Sequence, residues 1–165
     1  MNEDYSAVFS ALVRSLKTKN YHISAAESCT AGLFSAYLAD VPGASRVLSY
    51  GFVVYSEEAK NRVLDVPLQT IGEYGVVSEQ TAAAMAKGAA EISRAEVAVA
   101  VTGFAGPESD GILPVGRVCF AYVLPGRLIT ETRDFGAVGR NLVRQRAAVH
   151  AAQTISSLLE ELPCD

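Results

Sequence analysis

The segment EVAVAVTG, residues 96–103, leaves this chain the least freedom. It alternates valine and alanine and has no polar face until Thr102. Such a strand cannot lie on a surface. It needs apolar layers on both sides, as strands of helix-covered parallel sheets do. A chain of 165 residues is long enough to supply those layers around a proper core.

The flanking segments supply them. Residues 4–19 predict a helix with Val8, Phe9, Leu12, Val13 and Leu16 on one face. Residues 21–27 read as a short strand and Thr30 to Leu38 as a helix, broken by DVPGAS at 40–45. Residues 46–56, rich in β-branched and aromatic side chains, predict a second strand, and 57–64 a short helix. A proline-containing loop with a turn at IGEYG follows. Ser78 opens an alanine-rich helix that runs to Arg94, with Glu79 well placed in its first turn. After the central strand and a loop at 104–114, residues 115–123 and 127–135 flank LPG, which predicts an antiparallel hairpin. A last helix spans 139–161. The expected fold is one three-layer α/β/α domain over residues 1–165, with a mixed sheet ending in that hairpin.

Half the residues are hydrophobic and 19% are charged, which excludes a disordered chain. A net charge of -4 without a basic run argues against nucleic acid as a partner. No apolar run is long enough to span a bilayer, and the acidic start lacks a secretory layout, so a cytoplasmic protein without a membrane partner is expected. Cys29, Cys119 and Cys164 are too scattered for a disulfide framework, and with only His22 and His150 no zinc site is expected.

The stretch AAESCTAG, residues 25–32, crowds Glu27, Ser28, Cys29 and Thr30 into one strand-to-helix turn. Ligands of open α/β sheets bind at such carboxyl ends. Ser28 reads either as a nucleophile or, like Thr30, as a helix cap worth about 1 kcal/mol. Cys29 is the rival nucleophile, but a neighbour along a strand faces the opposite side, where a free cysteine packs as a small hydrophobe. Glu27 reads equally as an acceptor for a ribose hydroxyl and as a carboxylate favoured at a helix start. Lys60 reads either as a base, if its pKa is lowered, or as a solvated lysine paired with Glu57. Tyr55 stands at the strand end, placed to relay a proton or orient an amide. Thr102, Gly103 and Gly106 form a small-residue loop able to approach a phosphate or ribose, or only an ordinary turn at Pro107. Arg140, near the start of the last helix, opposes the macrodipole, which suggests an anionic ligand. Solvent exposure is the default for Arg144 and Arg146.

Four stretches in this order and spacing, AAESCTAG, VPGASRVLSYGFVVYSEEAKNRVLDVP, YGVVSEQTAAAMAKGA and AVAVTGFAGPESDGILPVGRV, resemble the CinA C-terminal domain family over nearly the whole chain. The resemblance implies a stand-alone, metal- and cofactor-free amidohydrolase that converts nicotinamide mononucleotide to nicotinate mononucleotide and ammonia. It implies Ser28 as nucleophile, Lys60 as base helped by Tyr55, and Arg140 at the phosphate of a pyridine nucleotide, with Glu27, Thr30, Thr102, Gly103 and Gly106 as the further expected contacts. It also implies a homo-oligomer. The chain departs from the family pattern at Ala31, at Glu108–Ser109, at Leu113 and at VGR, residues 138–140. These departures motivate the alternative of an inactive paralogue that binds a pyridine nucleotide.

Overall fold

The computed structural model describes residues 5–163; position 4 of the expected first helix and Cys164 lie outside them. Five strands form one sheet in the order β2-β1-β3-β4-β5. They are β1 Ile23–Glu27, β2 Leu48–Val53, β3 Val97–Gly103, β4 Arg117–Leu124 and β5 Arg127–Asp134. β2, β1 and β3 are parallel, whereas β4 and β5 run antiparallel. The β4–β5 register pairs Leu124 with Arg127, leaving Pro125 and Gly126 as the hairpin loop. Helices α1 Tyr5–Lys19, α2 Leu33–Ala39 and α6 Arg140–Glu160 cover one face. Helices α3 Glu57–Leu64, α4 Leu68–Tyr74 and α5 Glu79–Ser93 cover the other. The mixed α/β fold with a terminal hairpin is as the sequence predicts.

The valine–alanine alternation of β3 now has a physical meaning. Val97, Val99 and Val101 pack toward α1, α2 and α6, with Phe120 and Tyr122 of β4. Ala98 and Ala100, with Ala26, Cys119 and Ala121, make a flat face of small side chains against α5. Alanine-rich α5 lies on that flat face, so its composition serves packing within the chain. Gly88 brings α5 against the last turn of α3: a Cβ there would stand 2.0 Å from Leu64 O.

Three boundaries differ from the sequence reading. Residues 68–74, expected as loop and turn, are helical. Pro67 precedes that helix, Ile71 is buried beneath it, and Gly75 with φ 88 ends it. α2 starts at Leu33 rather than Thr30, because Ala31 and Gly32 are left-handed at φ 49 and 91. β2 is shorter than 46–56, since Ala44–Arg46 is a 3-10 turn and Ser56 already caps α3. Ser78 caps α5 as expected, its hydroxyl accepting the Thr81 amide at 3.1 Å.

The connections place the site. β1 leads to β2 through α2 on one face, and β2 leads to β3 through α3, α4 and α5 on the other. The carboxyl ends of β1, β2 and β3 therefore meet at a switch point between oppositely directed crossovers, where open α/β sheets bind ligands.

Candidate active site

Ser28 is the first residue past β1. Its amide donates to Val101 O at 2.9 Å, and on the other side Val54 N donates to Glu27 O at 2.9 Å. The ladder thus continues past the strand ends and fixes the Ser28 backbone between its neighbours. Ser28 is buried, with 7% of the residue exposed.

Lys60 lies one turn into α3, which starts at the Ser56 cap. Helical side chains lean toward the N-terminus, so Lys60 reaches back over its own first turn. Its Nζ lies 3.0 Å from Ser28 Oγ, 2.9 Å from Val54 O and 3.2 Å from Tyr55 O. Lys60 is fully buried, and among the described residues it makes no ion pair. Burial lowers its pKa below the ordinary lysine value of 10.5. The sequence's alternative of a solvated lysine on Glu57 is not what the structure holds.

The two carbonyls carry chemical information. A carbonyl accepts but cannot donate. When Lys60 is neutral, its two N–H bonds go to Val54 O and Tyr55 O. The lone pair is then the only feature of Nζ left for Ser28, whose O–H must donate to it. The arrangement can take a proton from the hydroxyl and return it.

Cys29 is buried against the opposite face with Phe34 and Val143. Burial pushes its thiol up to about 12, so it is protonated at neutral pH. The turn places the serine and the cysteine on opposite sides, as the sequence argument had it. The His22 imidazole lies against Glu96, Nδ1 3.5 Å from Oε2, and His150 Nε2 lies 2.7 Å from Glu131 Oε1, so neither imidazole serves Ser28.

Several residues expected to bind ligand have other work. Glu27 is fully buried, and its carboxylate accepts Phe34 N at 3.0 Å, Ser35 N at 2.9 Å and Ser35 Oγ at 2.7 Å. It therefore caps α2 from seven residues upstream, from inside the protein rather than from the surface. The Thr102 hydroxyl donates to Val76 O at 2.9 Å and ties β3 to the segment before α5. Gly103 is required by the sheet, because a Cβ there would meet Arg117 O at 2.7 Å. Thr30 is fully buried, and its hydroxyl has no hydrogen-bond partner among the described residues.

Tyr55 points outward, 54% exposed, and touches Lys60 only through its backbone carbonyl. Its phenol accepts a hydrogen bond from Arg140 Nη2 at 2.7 Å, while Arg140 Nη1 donates to Gly106 O. Arg140 thereby joins the end of β2 to the loop after β3. Arg144, assigned to solvent by default, is half-buried: Nε donates to Cys29 O at 3.1 Å and Nη2 to Thr30 O at 2.9 Å. No local sequence signal marks it, because its partners lie 115 and 114 residues away.

The family model of the CinA C-terminal domain matches residues 6–159. This chain belongs to the CinA C-terminal domain family. A competence-damage inducible protein of Symbiobacterium thermophilum is 43% identical over 158 residues, covering 90% of this CinA domain and 37% of that protein. The chain thus spans about a third of such relatives. A protein of Enterobacter agglomerans named nicotinamide-nucleotide amidohydrolase PncC is 41% identical over 141 residues, covering 84% of this chain and 85% of its own length. The crystal structure of competence damage-inducible protein A from Klebsiella pneumoniae superposes with a TM-score of 0.94 at 30% identity, covering 98% of this chain and 100% of that one. A competence/damage inducible protein from Agrobacterium tumefaciens gives 0.92 at 34% identity, with 98% of each chain covered.

Proposed function

We propose that this CinA domain hydrolyses the carboxamide of nicotinamide mononucleotide to nicotinate mononucleotide and ammonia. The observation that carries the reading is the 3.0 Å approach of a buried, pKa-lowered Lys60 Nζ to Ser28 Oγ. The 41% identity to a protein named for this activity supports the substrate.

In the proposed reaction Ser28 Oγ attacks the carboxamide carbon as its proton passes to neutral Lys60. The carbonyl oxygen becomes an oxyanion, received by amides of the turn. The amides of Cys29, Thr30 and Gly32 have no backbone acceptor among the described residues. Collapse breaks the C–N bond, and the Lys60 proton leaves with ammonia. Water, deprotonated by Lys60, then releases the acid from the acyl-serine and restores the hydroxyl. Arg140, on the outer rim, is the proposed partner of the phosphate. The packing roles of Glu27, Thr102 and Gly103 take them out of the proposed ligand contacts.

The test is ammonia release from nicotinamide mononucleotide by the purified protein. Turnover that Ser28→Ala abolishes supports the reading. Nucleotide-dependent thermal stabilisation without ammonia would instead identify a non-catalytic binder.

A further inference from the structure

Arg144 spans two successive carbonyls of the nucleophile turn, those of Cys29 and Thr30. A trans peptide is planar and holds its N–H opposite its C=O. The guanidinium therefore fixes two peptide planes at once, and with them the directions of the Thr30 and Ala31 amides. Both amides lie opposite carbonyls that the guanidinium holds. The Ala31 amide closes the turn on Ser28 O at 3.0 Å. The Thr30 amide has no backbone acceptor among the described residues. α6 covers one face of the sheet, whereas Lys60 approaches Ser28 from the face of α3 and α5. The Thr30 N–H, trans to the Cys29 carbonyl in the same peptide, points away from the Arg144 guanidinium.

Helix stability does not explain the residue. The first turn of α6 carries no acidic side chain, and Arg144 lies one turn beyond Arg140, so both cations oppose the macrodipole.

We propose that Arg144 is a positioning residue for the amidase reaction: by clamping Cys29 O and Thr30 O, it aims the Thr30 amide at the oxyanion of the tetrahedral intermediate. A cation on the carbonyl side of a peptide also polarises its N–H and makes it a stronger donor. The inference rests on the amidase reading above.

The test compares wild type, Arg144→Gln and Arg144→Lys in two assays. One is steady-state ammonia release from nicotinamide mononucleotide. The other is inhibition by pyridine-3-carboxaldehyde mononucleotide. With the aldehyde, a bond forms from Ser28 Oγ to the carbonyl carbon as the C=O π bond breaks. The hydroxyl proton passes to Lys60, and an alkoxide is left in the oxyanion position with no amine to expel. Arg144→Gln should lower kcat by about 100-fold, on the scale of losing one oxyanion donor, with KM unchanged. It should weaken the aldehyde by a similar factor. Arg144→Lys should recover only part, since an ammonium lacks the fork that spans both carbonyls.

A merely structural arginine would lower the melting temperature without changing the affinity ratio of aldehyde to substrate. That result, or a wild-type kcat in Arg144→Gln, overturns the proposal while the amidase reading stands. Should the glutamine variant fail to fold, the lysine variant carries the same ratio test. A wild type that releases no ammonia removes the amidase reading, and this inference falls with it.

Discussion

Lys60 Nζ and Ser28 Oγ, 32 residues apart in the chain, lie 3.0 Å apart with the amine's other two contacts on main-chain carbonyls. The pair is held by backbone on both sides, so its geometry depends little on other side chains. Its chemistry depends on one titration, that of the lysine.

Activity should rise with pH through the lowered Lys60 pKa and then level off, because the neutral amine is the working form. A kcat/KM profile of the wild type checks this. Lys60→Arg, which stays charged, should lose about 100-fold or more at every pH. Stability carries the same signature. The folded pKa lies below the unfolded value of 10.5, so between the two the unfolded chain binds more protons. Wild type should therefore gain stability as pH climbs through that window, and urea titrations of Lys60→Met should lack the slope.

Tyr55→Phe separates a proton relay from a brace. Lys60 uses the Tyr55 carbonyl, which the substitution keeps, and the phenol meets Arg140 instead. The variant should lose less than about tenfold in kcat/KM, the scale of one exposed hydrogen bond. A kcat loss of several orders would restore the relay.

Glu27→Ala should destabilise the fold by about 2–3 kcal/mol, since it strips the acceptor from the buried Phe34 amide, the half-buried Ser35 amide and the Ser35 hydroxyl. Glu27→Gln, which keeps one oxygen, should cost less. Urea denaturation of both variants reads the difference. A stable Glu27→Ala protein with impaired substrate binding would instead favour a ligand contact.

Iodoacetamide at pH 8 should leave ammonia release intact. The Cys29 thiol, buried and pushed up to about 12, offers almost no thiolate. Cys29→Ser should likewise retain turnover, whereas inactivation by the alkylating agent, protected by substrate, would reopen the case for a cysteine nucleophile.

The sequence revealed what local signals encode. The alternation in β3, the Ser78 cap and the LPG hairpin each lie within a few residues of their own evidence. α4 is not legible in the sequence because Pro67 and Gly72 read as loop punctuation, whereas the helix buries Ile71 against the core. The roles of Glu27, Thr102 and Arg144 were hidden for a different reason. Their partners are 7, 26 and 115 residues away, across turns whose path no periodicity predicts. Ser28 and Lys60 could be named from the sequence, but their separation could not.

Gly88 belongs to α5 and carries no side chain to take part in the chemistry. Yet a methyl at this position would collide with the final carbonyl of α3, the helix on which Lys60 is mounted. Gly88→Ala should therefore register as lost turnover in a protein whose reactive groups are all still present. Descendants of this chain could fall silent through a steric nudge on the far flank of a helix, leaving every signature residue in place.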